Sequence, residues 1–132
     1  MKIQLRKPFF PNKSIIRIQN QIKNVMKSGQ LTLGENVKIF EEDFAKYFHV
    51  KFAVAVSSAT AGLHISLLSL GIKKDDEVIV PAKTFISTAN AALYCNAKPI
   101  FCDVDESTFQ LDPLKIEQLI TKKTKAIIPV HL

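Results

Sequence analysis

Three hydroxyl side chains, Ser57, Ser58 and Thr60, lie within four residues of one another in the stretch FAVAVSSATAGLHISLLSLG, with apolar residues on both sides. Hydroxyls donate hydrogen bonds to anions. A helix that begins among them adds its first unpaired N–H groups and the positive end of its dipole. Such a turn can seat a phosphate. Ser58 at a helix start also has a plainer use, capping the helix with its own oxygen, and the local sequence is compatible with both. Neither the dinucleotide glycine fingerprint nor the P-loop pattern is present, so the stretch specifies neither NAD nor ATP.

The other residues able to do chemistry are more scattered. Cys95 and Cys102 lack metal-ligand spacing and read as buried thiols of a reducing compartment. His49, His64 and His131 read as structural, with His131 nearest to a site. Lys83 reads as a solvated loop lysine, and Asp103 and Asp105 as part of a polar segment leading into a turn.

These residues need elements to position them. Residues 52–56 read as a buried strand without polar alternation. From Ala59 to Leu70 the positions Leu63, Leu67, Leu68 and Leu70 fit a helix that Gly71 stops. EVIVP, at 77–81, reads as a second strand after a polar turn at 73–76. Thr84 is expected to cap a helix running through Leu93, with Asn96 as its left-handed stop. KPIFCDV reads as a third strand. Asp112 followed by Pro113 marks a helix start, and Leu114, Ile116, Leu119 and Ile120 are expected on that helix's buried side. KAIIPVHL reads as a fourth strand. The order βαβαβαβ implies a parallel sheet wound with helices.

Ligands of such sheets gather at the carboxyl edge. There the order places Ser58, Ala59 and Thr60 after the first strand and Lys83, Thr84 and Phe85 after the second. Asp103 to Asp105 follow the third, and His131 the fourth. Phe85 then brings a flat ring near the phosphate seat, pointing to an aromatic phosphate ester; its plainer use is core packing.

With 132 residues, 47% hydrophobic and 23% charged, the chain has enough apolar material for a core. No apolar run is long enough to cross a bilayer, and the first residues lack a signal-peptide core, so the expected location is the cytoplasm. The net charge of +6 is unevenly placed: residues 1–34 hold seven basic residues and no acid, which leaves the remainder at −1. This arm carries Ile15, Ile18, Ile22 and Val25 at helical spacing, a basic amphipathic helix expected to dock on protein rather than on a membrane. No nucleic-acid motif accompanies it. A second helix follows Gly34, with Val37, Phe40, Phe44 and Tyr47 on its apolar face and Glu41, Glu42 and Asp43 toward water.

In three ordered blocks the chain resembles the DegT/StrS family of sugar-nucleotide aminotransferases. These are SGQLTLGENVKIFEEDFAKYFHVKFAVAVSSATAGLH, LGIKKDDEVIVPAKTFISTANAALYCNAKPIFCDVDESTFQLDP and ITKKTKAIIPVHL. The resemblance implies the N-terminal part of the large domain of the aspartate-aminotransferase-like, type I PLP fold, an α/β fold with a mainly parallel sheet and flanking helices. Its organisation would be a basic arm and helix at 1–34 and a partial cofactor-binding domain at 35–132, truncated at its C-terminus. It also implies pyridoxal 5'-phosphate as cofactor. Ala59 and Thr60 would hold its phosphate with help from Ser58, and Phe85 would stack on its pyridine ring. The family often has Gly where Ala59 stands.

The implied reaction is amino transfer from glutamate to a keto group on a nucleotide-linked deoxysugar, in a homodimer without nucleic-acid or membrane partners. The lysine that carries the cofactor and the aspartate that holds its ring nitrogen match no position here, so the catalytic set within these residues is empty and the chain alone is expected to be inactive. The alternatives are a family dehydratase, in which histidine replaces the lysine, and a piece that only binds the cofactor or a partner subunit, or does nothing. Low autonomous stability and association through an open sheet edge are the accompanying expectations.

Overall fold

The computed structural model describes residues 7–132. By its internal contacts the chain divides into two compact units, with the break between Ala55 and Val56. In the first unit, α1 (Asn12–Ser28) follows Pro11, whose carbonyl takes the Ser14 N–H at 2.8 Å. It ends on Gly29 at φ +70°, a conformation that glycine adopts without a side-chain penalty. No residue of α1 is buried: Ile15, Ile18, Ile22 and Met26 all stand exposed.

Helix α2 (Glu35–Tyr47) buries only Ala45. Its aromatic residues stack one turn apart, with ring centroids at 5.8 Å for Phe40 and Phe44 and 4.5 Å for Phe44 and Phe48. The acidic run does not face water uniformly. The Glu41 carboxylate is half-buried and accepts the Ala55 N–H at 2.7 Å.

The second unit holds α3 (Ala59–Ser69), β1 (Glu77–Pro81), α4 (Ser87–Tyr94), β2 (Lys98–Cys102), the single turn α5 (Pro113–Ile116) continued by a 3₁₀ turn, and β3 (Thr124–Ile127). All three strands are parallel, in the order β2-β1-β3. Strand β1 pairs with β2 from Glu77↔Lys98 to Pro81↔Cys102, and the ladder continues in the Ala82 N–H bond to the Cys102 carbonyl. Against β3 the register slips once, between Glu77 and Val78.

The α/β pattern is as expected, but the sheet has three strands where the sequence implied four. Residues 52–56 pair with no strand among the described residues, and Phe52 and Val54 are more than three-quarters exposed on average. An apolar run supplies only one side of a ladder; the partner's N–H and C=O groups make it a strand. Strand β1 spans its expected run, whereas β2 and β3 stop short of theirs, at Cys102 and Ile127.

The core lies where β1 meets α3 and α4. Val78 and Val80 pack with Leu67, Ile72, Ala89, Ala91, Ala92, Cys95 and Ala97. Ile79, pointing to the other face of the sheet, is also wholly buried. Alanines along α4 let the helix lie close to the strand. Gly71 at φ +77° and Asn96 at φ +57° end α3 and α4 as expected.

Two details of α4 and α5 differ from expectation. Helix α4 begins at Ser87, and Thr84 does not cap it: its hydroxyl bonds that of Thr88 at 2.7 Å. Asp112 does cap α5, accepting the Leu114 N–H at 2.9 Å. Leu114 nevertheless stands 82% exposed and Ile120 55%, because the helix stops after one turn and never presents a continuous face to the sheet.

Candidate functional site

The start of α3 is built by Ser58. Its backbone is extended, and its side-chain oxygen accepts the Ala61 N–H at 3.1 Å while its carbonyl accepts the Gly62 N–H at 3.0 Å. Ser58 is therefore a true N-cap. The cap satisfies one helix donor and leaves those of Ala59 and Thr60, the first two helical residues, without an intrahelical acceptor. Ser57, Ser58 and Ala59 are exposed and Thr60 is half-buried, so the helix start lies at the surface of its unit. No acidic residue lies in the first turn of α3, so the helix supplies no carboxylate of its own to offset its positive end.

Thr60 is tied to the next helix. Its hydroxyl donates to Ser87 Oγ at 2.8 Å, across 27 residues of chain. Ser87 opens α4, which follows directly from the carboxyl end of β1, so the bond brings the start of α3 to that edge of the sheet. Phe85 stands two residues before Ser87, with its carbonyl accepting the Thr88 N–H at 3.0 Å. Phe85 is 76% exposed and lies outside the core of this chain. The structure thus gathers Ser58, Ala59, Thr60 and the Phe85 segment at one edge.

The remaining polar residues are engaged elsewhere. Lys83 is an exposed loop lysine, as expected, and its ammonium lies 3.4 Å from the Phe109 ring centroid in a cation–π contact. Asp103 pairs with Lys115 at 3.2 Å. That contact holds the Lys115 ammonium above its usual range, first through the hydrogen bond and then through charge.

Asp105 folds its own loop, accepting from the Ser107 hydroxyl, the Ser107 N–H and the Thr108 N–H. The Ser107 hydroxyl, followed by the Thr108 N–H, lowers its pKa to about 2. His64 stacks beside Tyr94 with centroids at 5.5 Å. His131 is exposed beyond β3. Both cysteines are buried, and burial pushes their thiols up.

No group of three or more metal-ligating side chains occurs among the described residues, and none of their helices is long and apolar enough to cross a membrane. A hollow of about 460 Å³ lies along α1, lined by Gln19, Ile22, Lys23, Met26 and Lys27. It joins no acid to a base. Sequence reasoning missed Ser87: the hydroxyl run in TFISTAN is visible, but nothing local says which hydroxyl turns toward α3.

The chemistry available at the edge is anion binding beside an exposed ring, without an acid–base pair, and known proteins share the architecture. The spore coat polysaccharide biosynthesis protein SpsC of Bacillus subtilis is 42% identical over 132 residues, 98% of this chain and 34% of SpsC. Among solved structures, NtdA of Bacillus subtilis, with bound cofactor PMP, superposes with a TM-score of 0.87 at 39% identity, over 99% of this chain and 32% of NtdA. A GDP-4-keto-6-deoxymannose-3-dehydratase with a trapped PLP-glutamate geminal diamine superposes at 0.76 and 33% identity, over 84% of this chain and 30% of the dehydratase.

The chain spans about a third of the length of these relatives. Its α/β arrangement is the corresponding part of the pyridoxal-phosphate aminotransferase fold. A family model matches residues 13–132, and the chain belongs to the DegT/DnrJ/EryC1/StrS aminotransferase family.

Proposed function

We propose that this chain forms the phosphate seat and ring platform for pyridoxal 5'-phosphate in an aminotransferase acting on a nucleotide-linked keto-deoxysugar. The reading is carried by the Thr60–Ser87 bond, which sets the acid-free start of α3 beside the exposed Phe85 segment. The residues fit the group: the first two N–H groups of α3 and nearby hydroxyls suit a phosphate, and an exposed aromatic face suits a pyridine ring. Ala59 binds through its backbone N–H, Thr60 through its N–H and hydroxyl, and Phe85 fixes the ring's plane. When bound, the cofactor supplies an electron-withdrawing ring that takes up the electron pair released at the amine-bearing carbon.

Glutamate serves as amino donor, the product is an amino sugar for a surface glycan, and the enzyme works as a homodimer in the cytoplasm. The polysaccharide pathway named for SpsC supports the substrate class. A sugar dehydratase is the second reading, favoured by the likeness to the 3-dehydratase. Product analysis of the keto-sugar separates the two: an amino group is gained in one and a hydroxyl lost in the other.

Titration of the full chain with pyridoxal 5'-phosphate and with pyridoxal, which lacks the phosphate, tests the seat. The expected result is a preference of about tenfold or more for the phosphate ester, about 1.4 kcal/mol. Equal affinity for the two overturns the reading.

A further inference from the structure

The single hydrogen of the Thr60 hydroxyl is already engaged by Ser87 Oγ at 2.8 Å. A hydroxyl has one hydrogen and two acceptor sites. While Thr60 donates to Ser87 it turns only lone pairs toward a neighbouring anion, and lone pairs repel a phosphate oxygen. Thr60 can donate to phosphate only if Ser87 gives up its role as acceptor.

We propose that Ser87 is a positioning residue for the anion seat, donating its own hydroxyl hydrogen to Thr60 Oγ1 so that the Thr60 hydrogen turns to the phosphate. This rests on the proposed cofactor seat. In the structure the bond runs from Thr60 to Ser87, whereas either hydroxyl of the Thr84–Thr88 pair can donate, so the reversal needs a small re-orientation of the Ser87 side chain as well as two hydroxyl rotations. Ser87 is 9% exposed, and the adjoining Thr88, 5% exposed, is occupied by Thr84 at 2.7 Å. Burial of Ser87 limits water's access to its hydroxyl, and a hydroxyl that itself accepts a hydrogen bond is a stronger donor. Ser87 does not touch the ligand; it acts through Thr60.

The test uses the full chain and three variants, Ser87→Ala, Thr60→Ala and the double variant, with calorimetric affinities for pyridoxal 5'-phosphate and pyridoxal and the ³¹P resonance of the bound ester. Thermal melts report whether each variant folds. Ser87→Ala is expected to weaken pyridoxal 5'-phosphate about three- to tenfold, to leave pyridoxal unchanged, and to have no further effect once Thr60 is alanine. Its ³¹P resonance should move in the same direction as that of Thr60→Ala. Ser87→Thr, which retains the hydroxyl, is expected to keep the wild-type preference; a loss as large as that of Ser87→Ala overturns the proposal.

A wild-type chain that binds both ligands alike overturns the cofactor seat and this role with it. A wild-type preference that survives Ser87→Ala, or losses that simply add, overturn the role of Ser87 alone.

Discussion

Helices α3 and α5 begin on the same local plan and with opposite electrostatics. Ser58 and Asp112 are both extended residues whose side-chain oxygens accept an N–H from the first turn, at 3.1 and 2.9 Å. At α5 the cap is a carboxylate, so the helix start is compensated by its own residue and repels a second anion. At α3 the cap is neutral, the first turn carries no acid, and a second hydroxyl stands at Thr60. The lesson is that capping and anion binding are separable uses of a helix start. The charge of the cap decides whether the end is closed on itself or open to a ligand.

The most drastic way to break the comparison is to remove what holds both helix starts to one sheet. Ile79→Ala empties a wholly buried position of the central strand and should cost about 2–5 kcal/mol; chemical denaturation is expected to show a lower midpoint and loss of both starts together. A smaller and more selective change is Ser58→Asp, which gives α3 the cap of α5. The fold should persist, because Asp caps as well as Ser, while affinity for pyridoxal 5'-phosphate falls by about tenfold or more in calorimetry. Unchanged binding would mean that the phosphate sits elsewhere.

Asp112→Ala sharpens the contrast from the other side. Losing the cap should lower stability by about 1 kcal/mol, and the phosphate preference should remain as in the wild type. The slightest effect concerns the loop before α5. The Asp105 carboxyl is depressed from 3.8 to about 2 by its bonds to Ser107 and Thr108. A depressed carboxylate adds stability that is present above about pH 4 and fades as the pH falls toward about 2, where the folded form too takes up its proton. Carboxyl NMR titration should place the midpoint near 2, and Ser107→Ala should move it back toward 3.8.

Much of this was legible in the sequence, and what was not has physical causes. EVIVP and the stops at Gly71 and Asn96 carry their signals locally and stand where expected, and KPIFCDV forms a strand over its first five residues. Ser58 also announced itself, since an N-cap needs only its own turn. FAVAV did not become a strand because pairing depends on a partner that no local pattern encodes. Thr84 is not a cap because α4 begins only at Ser87, with Ile86 in the cap position, and the Thr84 hydroxyl bonds that of Thr88. The bonds from Thr60 to Ser87 and from Glu41 to Ala55 join residues 27 and 14 positions apart, so only the folded chain reveals them.

The two buried cysteines are also a clock for opening. Cys95 lies at the end of α4, on the helix whose other end carries Ser87, and Cys102 closes β2. Neither thiol ionises readily while packed, so a thiol-directed reagent reacts only as fast as each site opens. Two alkylation rates, followed by mass spectrometry, would therefore time separately the loosening of the helix behind the seat and that of the sheet beside it. A ligand gripping the seat should slow the first more than the second.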